Sequence, residues 1–482
     1  MLRAAHLLRS MVARGEQSEV PRVANALGDQ MSCRFIRLAV VIVIACPGTA
    51  VFGQDADSLR VATFCSDVTP PLGHPWYPDS KPLAAIEHPL LAKGIVIDDG
   101  KHRYVLCAVD WCELCNSTHL LFRRNLANAV GTDVSRVAVQ TVHQHTALLA
   151  DGDAHRLLQK QEKPPPYLDL KFLNQVTDRL AVAAGKSLDD LKPFDRIGTG
   201  QAKVERVASS RRIPIGGGKV RTRYSSTRDA ELQAAPEGHI DPMLKTITFA
   251  NGEKPLVRLH YYATHPQSFY RDQRASYDFP GLARERIEKK SGVFQIYFTG
   301  CAGDVAAGKY NDGSREARSK LAERLRAGLE ASIASTRLAP VGPLCWRTVP
   351  LKMPVRTGSG YDVAENRAKM ADAEAAAARR KDAARNLVFA ERTEPIELSS
   401  LQIGDVYIVH LPGEPMVAFQ LFAQGLKPKS FVAVAGYGDG CPGYICTEEA
   451  FSEGGYEPSA SRVAPESEKD FRTAIRRLLG CR

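Results

Sequence analysis

Apolar residues along the chain gather into short runs that stop at polar loops, the pattern of strands whose far ends leave the core. "HRYVLCAVDW" (102–111) stops at Asp110, and "SRVAVQTVHQH" (135–145) stops at a histidine pair. "MLKTITFANGEKPLVRLHYYATHP" (243–266) holds two alternating runs joined by Asn251-Gly252, a hairpin signal. "VFQIYFTGCAGDVAAG" (293–308), "DVYIVHLPGEP" (405–415) and "SFVAVAGYGDG" (430–440) each pass from an apolar run into a Gly- or Pro-rich loop. Between them, helical spacing marks 118–130, 314–335 and the Ala-rich, charged 365–389, the last expected to be a surface helix or helical hairpin. The Gly/Arg-rich 210–229 is expected to be a loop or weak hairpin. One helical segment follows Pro458, which leaves no room for a C-terminal β-domain, and no internal repeat is visible. Strands and helices mixed throughout predict an α/β (α+β) domain of layered sheets and helices over 58–482.

The N-terminal part has another character. From Met31, "MSCRFIRLAVVIVIACPGTAVFGQ" offers two arginines, an apolar stretch from Leu38 to Cys46, then small residues. That three-part form predicts a signal peptide over 31–53 and an exported protein, with residues 1–30 as upstream sequence. A second reading makes Cys46 the lipidated cysteine of a lipoprotein box.

Composition narrows function by exclusion. Apolar residues make up 44% and charged residues 24% of the 482, as in an ordinary globular protein. The net charge of +10 is spread along the chain without a basic block, which argues against nucleic-acid binding and leaves room for peripheral contact with an anionic membrane. Of eleven cysteines, Cys112 and Cys115 form a lone CxxC without the second pair that a zinc ribbon needs. Cys441 and Cys446 are close enough in sequence to close a small loop, although buried thiols are the simpler expectation.

Residues able to bind metal or move protons sit at the ends of the apolar runs: His143, His145, His265, Glu414, Tyr444 and Tyr456. Two histidines and a carboxylate form a common catalytic zinc set, with a position left for water. Taken singly, each residue is explained as well by a surface hydrogen bond, a turn or packing.

The order and wording of these segments resemble the neutral (non-lysosomal) ceramidase superfamily, in its N-terminal catalytic domain. The resemblance rests on "DVTPPLG" (67–73), "TVHQHT" around His143, "YATHP" around His265, "GCAGDVAAG" (300–308), "LPGEP" (411–415), and "GYICTEE" (443–449) with Tyr456 beyond it. It implies a zinc ion held by His143, His265, Glu414 and Tyr444. It further implies His145 as an acid/base or oxyanion group, Tyr456 as an oxyanion donor, Asp304 in the catalytic loop and Arg212 as the substrate-binding arginine. Where that family carries an active-site serine, this chain has Ala306. The resulting expectation is a zinc-dependent hydrolase that cleaves an N-acyl amide with metal-activated water, its substrate a small molecule or lipid-like. The altered loop also admits an ester or N-acyl saccharide substrate, or a binding protein that keeps the fold without catalysis.

Overall fold

Three sheets carry the architecture of the computed structural model, which describes residues 59–481. The segments assigned above to an upstream region and a signal peptide, with Cys46, lie outside the described residues. The first sheet orders its strands 137–141, 103–109, 91–98, 60–67 and 192–193. The second runs 294–299, 254–262, 243–251, 196–203 and 337–340. The third runs 431–435, 406–410, 396–403 and 344–351.

All three are built by one rule. Three successive antiparallel strands are followed by a helix, and the chain then returns to lay a fourth strand parallel to the third. The crossover helices are Asn116–Val130, Asp278–Ser291 and Val417–Leu426. This threefold repetition of topology corrects the expectation of no internal repeat. It escapes sequence comparison because a strand core asks only for apolar character and period, not for identical residues.

The three returning strands meet at their C-terminal ends. Thr141 N–H donates to the Tyr437 carbonyl, Gly436 N–H donates to Thr299, and the Thr299 hydroxyl donates to Val142 (2.8, 2.9 and 2.7 Å). These three bonds close a ring among the sheets. The Gln140 amide adds bonds to the carbonyls of Leu411, Ala435 and Gly436. Each bond is buried, and removal of one partner would leave an unsatisfied group costing about 1–3 kcal/mol. The junction is therefore a rigid platform for whatever the following loops present.

The apolar cores lie between these sheets and the helices that cover them. Helix Asn116–Val130 buries Phe122, Leu126 and Val130 at a spacing of four, and stops at Gly131, whose φ of 67° supplies the left-handed turn. Below the first sheet, Arg284 forks onto Asp110 through two 2.9 Å bonds, both side chains being buried. The tract 365–389 divides into helices Val363–Ala371 and Ala377–Ala390, a helical hairpin as expected. The segment 210–229 contains the short hairpin 212–216/219–222. Among the described residues no helix is long and apolar enough to cross a membrane.

Candidate metal centre and active-site cleft

All six loops that follow the third and fourth strands of the sheets meet at one point, the loop after strand 103–109 through the Cys112 carbonyl that fixes His143. His143 stands two residues beyond strand 137–141, His265 three beyond 254–262, Glu414 four beyond 406–410, and Tyr437 two beyond 431–435. The loop 300–304 follows strand 294–299, and its Ala302 carbonyl fixes His265. His143 and Tyr437 both adopt left-handed backbone (φ 72° and 62°), each costing of order 1–3 kcal/mol. Their rings stack, with centroids 4.2 Å apart. Strand geometry therefore does not place the His143–His145 pair, since the strand stops at Thr141. The turn at His143 sets the two rings edge to face at 5.0 Å instead.

The ligand atoms of His143, His265 and Glu414 all lie within 4.8 Å of one another. Nδ1 of His143 donates to the Cys112 carbonyl (2.7 Å), and Nδ1 of His265 to the Ala302 carbonyl (2.6 Å). With each Nδ1 so bonded, both Nε2 atoms face Glu414 Oε2 at 3.1 Å. Burial, only partly offset by Glu414, holds His265 down at about 4, so it is neutral and its Nε2 carries a lone pair. Burial pushes the Glu414 carboxyl up, but the two imidazoles outweigh this and hold it well below the usual carboxylate range. Nε2 of His143 is buried without a hydrogen-bond partner.

Burial lowers His143, but Cys112 and Glu414 outweigh it and hold it well above 6.5. A positive charge between the imidazoles and the carboxylate, a proton or a metal ion in its place, is what keeps the three together. The trio therefore fits a divalent metal, and two imidazoles with a carboxylate suit zinc. A second group, Cys112 with His143 and His145, also lies within ligand reach. Its thiol is pushed up by burial and is protonated, and it borders the Nδ1 of His143 that is already bonded.

Tyr444 reaches this centre through local pairing. Glu414 and Tyr444 are register partners in a two-residue parallel bridge, and Glu414 N–H donates to the Gly443 carbonyl (2.9 Å). Gly413 permits the approach: its φ is 59°, and a Cβ there would come within 2.6 Å of the Gly443 oxygen. Tyr444 lies parallel to His265 at 6.3 Å, and its oxygen accepts from Arg211 (3.0 Å). Burial, opposed by Arg211, pushes its phenol well above 10. Tyr456 meets Tyr444 edge to face at 5.5 Å.

His145 lines the cavities beside the trio, and its Nδ1 is buried without a partner. Burial, with His143 and His265 nearby, holds it well below 6.5, so it is neutral and able to accept a proton. The arginine of "SSRRIP" that faces the cavity is Arg211; Arg212 points away, forming ion pairs with Glu453 and Glu457 at 2.8 and 2.9 Å. Asp304 also turns from the cavities, accepting from Val417 N–H (2.8 Å) at the start of the helix after Glu414. Ala306 is fully buried, bonded through its carbonyl to the Ser209 hydroxyl, and lines neither cavity. Cys112, Cys115, Cys441 and Cys446 are buried free thiols.

Two cavities share His145, Tyr444 and Tyr456 beside the trio. The smaller, about 320 Å³, is walled by tyrosines, with Arg211 and Gln267 among its polar groups. The larger, about 690 Å³, reaches from His143 and Glu414 to helix Ala377–Ala390, so this charged helix forms a cavity wall as well as protein surface.

Searches with the sequence return no matching family model and no matching curated protein. The structure does match solved folds. Neutral ceramidase from Pseudomonas aeruginosa aligns with a TM-score of 0.64 at 15% identity, over 88% of this chain and 75% of that one. The fold is ceramidase-like. A ceramidase complexed with C2 aligns comparably, with a TM-score of 0.63 at 14% identity, over 88% and 76% of the two chains. The ceramidase-like fold thus accommodates three layered sheets with the trio where their strand ends meet.

Proposed function

We propose that the protein is an exported, zinc-dependent hydrolase that cleaves an N-acyl amide bond. The observation that carries this reading is the set of His143, His265 and Glu414, with both imidazole Nδ1 atoms tied to backbone carbonyls and both Nε2 atoms turned on one carboxylate oxygen. Export rests on the segment 31–53. His143, His265 and Glu414 would hold the metal, with Tyr444 as a fourth ligand. When bound, a divalent cation in such a set supplies Lewis acidity toward a carbonyl oxygen.

The chain's own residues do the rest. Neutral His145 takes a proton as the nucleophile adds and returns it to the departing amine. Tyr456, its phenol pushed up by burial and so protonated, donates to the oxygen that gains charge. Arg211, over the rings of both Tyr444 and Tyr456, adds positive charge on the same side. Asp304 acts at a distance, fixing the helix that follows Glu414. Turnover of N-acyl amides that stops on chelation, returns with zinc and is lost in His145→Ala tests the reading; a zinc-loaded protein inert toward amides and esters alike would refute it.

A further inference from the structure

The larger cavity is lined by more positive charge than its own carboxylates answer. Five cationic side chains line it against four carboxylates: Glu113 pairs with Arg385, Asp79 lies 3.6 Å from Arg271, Glu414 belongs to the metal trio, and Asp382, which acts on Lys381, comes within 4 Å of no cation among the described residues. Lys381, Arg356 and Arg462 also line the cavity, and none has a carboxylate within 4 Å among the described residues. Lys381 and Arg462 are only 7% and 8% exposed. Their hydrogen bonds go to neutral groups: Lys381 to the Pro78 carbonyl and the Ser80 hydroxyl, Arg462 to Asn386 and the Cys441 carbonyl.

Buried donors are also left over. Nε of Arg385 and the hydroxyl of Tyr167 have no hydrogen-bond partner, in side chains more than nine-tenths buried that line this cavity. A buried cation without an anion is costly, and so is an unpartnered donor. An oxyanion placed among them would answer both costs at once, because charge-assisted bonds from Arg and Lys are the strongest kind a side chain makes. An alkyl chain in the same space would instead desolvate these groups and give nothing back.

Building on the hydrolase reading, we infer that the substrate's leaving half carries an anionic oxyacid group, bound by Lys381, Arg356 and Arg462 in the cavity beside the metal centre. The protein is thereby an amidohydrolase of polar, acidic N-acyl compounds rather than of long-chain lipids. A carboxylate and a phosphate share the required chemistry.

Calorimetry on the full-length protein as purified tests this with N-acetyl ω-amino acids of increasing chain length, each against its neutral carboxamide. An N-acetyl aminoalkyl phosphate arm distinguishes the two oxyacids. The expected result is one chain length at which the acid binds about 10- to 100-fold tighter than its amide, as two or three charge-assisted bonds would give. Lys381→Met and the half-exposed Arg356→Gln should each reduce that preference to about threefold or less. Equal binding of acid and amide at every length, or binding of neither, overturns the inference. So does a preference that survives both substitutions and vanishes on chelation, since the oxyanion would then sit on the metal. Calorimetry needs no turnover, so failure of the hydrolase reading is scored separately by the absence of chelator-sensitive cleavage.

Discussion

Nε2 of His143 lies 3.1 Å from Oε2 of Glu414, while its Nδ1 is bonded to the Cys112 carbonyl on the opposite side of the ring. Nε2 of His265 is within hydrogen-bonding distance of the same oxygen, also at 3.1 Å, and its Nδ1 is bonded to the Ala302 carbonyl. A divalent cation between the three atoms would replace the proton that His143 otherwise holds against Glu414.

Metal should stabilise the fold. At a free zinc concentration about 100 times the dissociation constant, binding adds about 2.7 kcal/mol. Thermal unfolding should therefore shift upward with zinc and back with chelator in the wild type. His265→Ala should show little or no shift, because one of the convergent Nε2 atoms is gone.

His145→Ala should separate binding from chemistry. It touches the trio through ring contacts at 5.0 and 5.7 Å and is not needed to hold the metal. Zinc content and melting shift should remain, while kcat falls by about 10²- to 10⁴-fold, the usual contribution of a positioned acid/base.

The two adjacent arginines should fail differently. Arg211→Met removes the cation beside Tyr444 and Tyr456, so its main effect falls on kcat, read by steady-state kinetics. Arg212→Met takes the closest cation from Glu457, which is fully buried, and should cost about 3–5 kcal/mol in denaturant unfolding. Equal losses of activity at equal stability in the two variants would contradict the geometry.

Asp304 gives the stability a pH dependence. Burial pushes its carboxyl up from 3.8 to about 6, against the Val417 hydrogen bond that lowers it. Between those values the folded state binds more protons than the unfolded one, so this group's contribution falls as pH rises from about 4 to about 6. At about 1.4 kcal/mol per pH unit, the loss is of order 3 kcal/mol. Asp304→Asn should flatten that part of the stability profile; an unchanged slope would show that Asp304 is not the titrating group.

How much of this was legible in the sequence depends on what each feature requires. His143, His265 and Glu414 stand out because a polar, metal-competent residue at the end of an apolar run breaks a pattern, and the structure brings the three together. Tyr437 does not stand out: within "AVAGYGDG" it reads as packing, and only its left-handed backbone turns it onto His143. The choice between Arg211 and Arg212 turns on a bend at Arg211, between strands 209–210 and 212–216, which no period in the sequence announces. The hairpin 363–390 was visible from its periodicity, but its role as a cavity wall depends on tertiary packing that period alone does not encode. The threefold repeat lies deeper still, being carried by strand order rather than by residues.

The most direct test of the central claim is the metal content of the full-length protein after zinc loading and exhaustive dialysis, wild type beside Glu414→Gln. The account predicts about one zinc per chain in the wild type, as a two-histidine, one-carboxylate set implies. It predicts a substantial loss in the variant, whose neutral amide still fits the space but no longer balances the charge. A wild type without bound metal, or a Glu414→Gln protein that keeps it undiminished, would contradict the account.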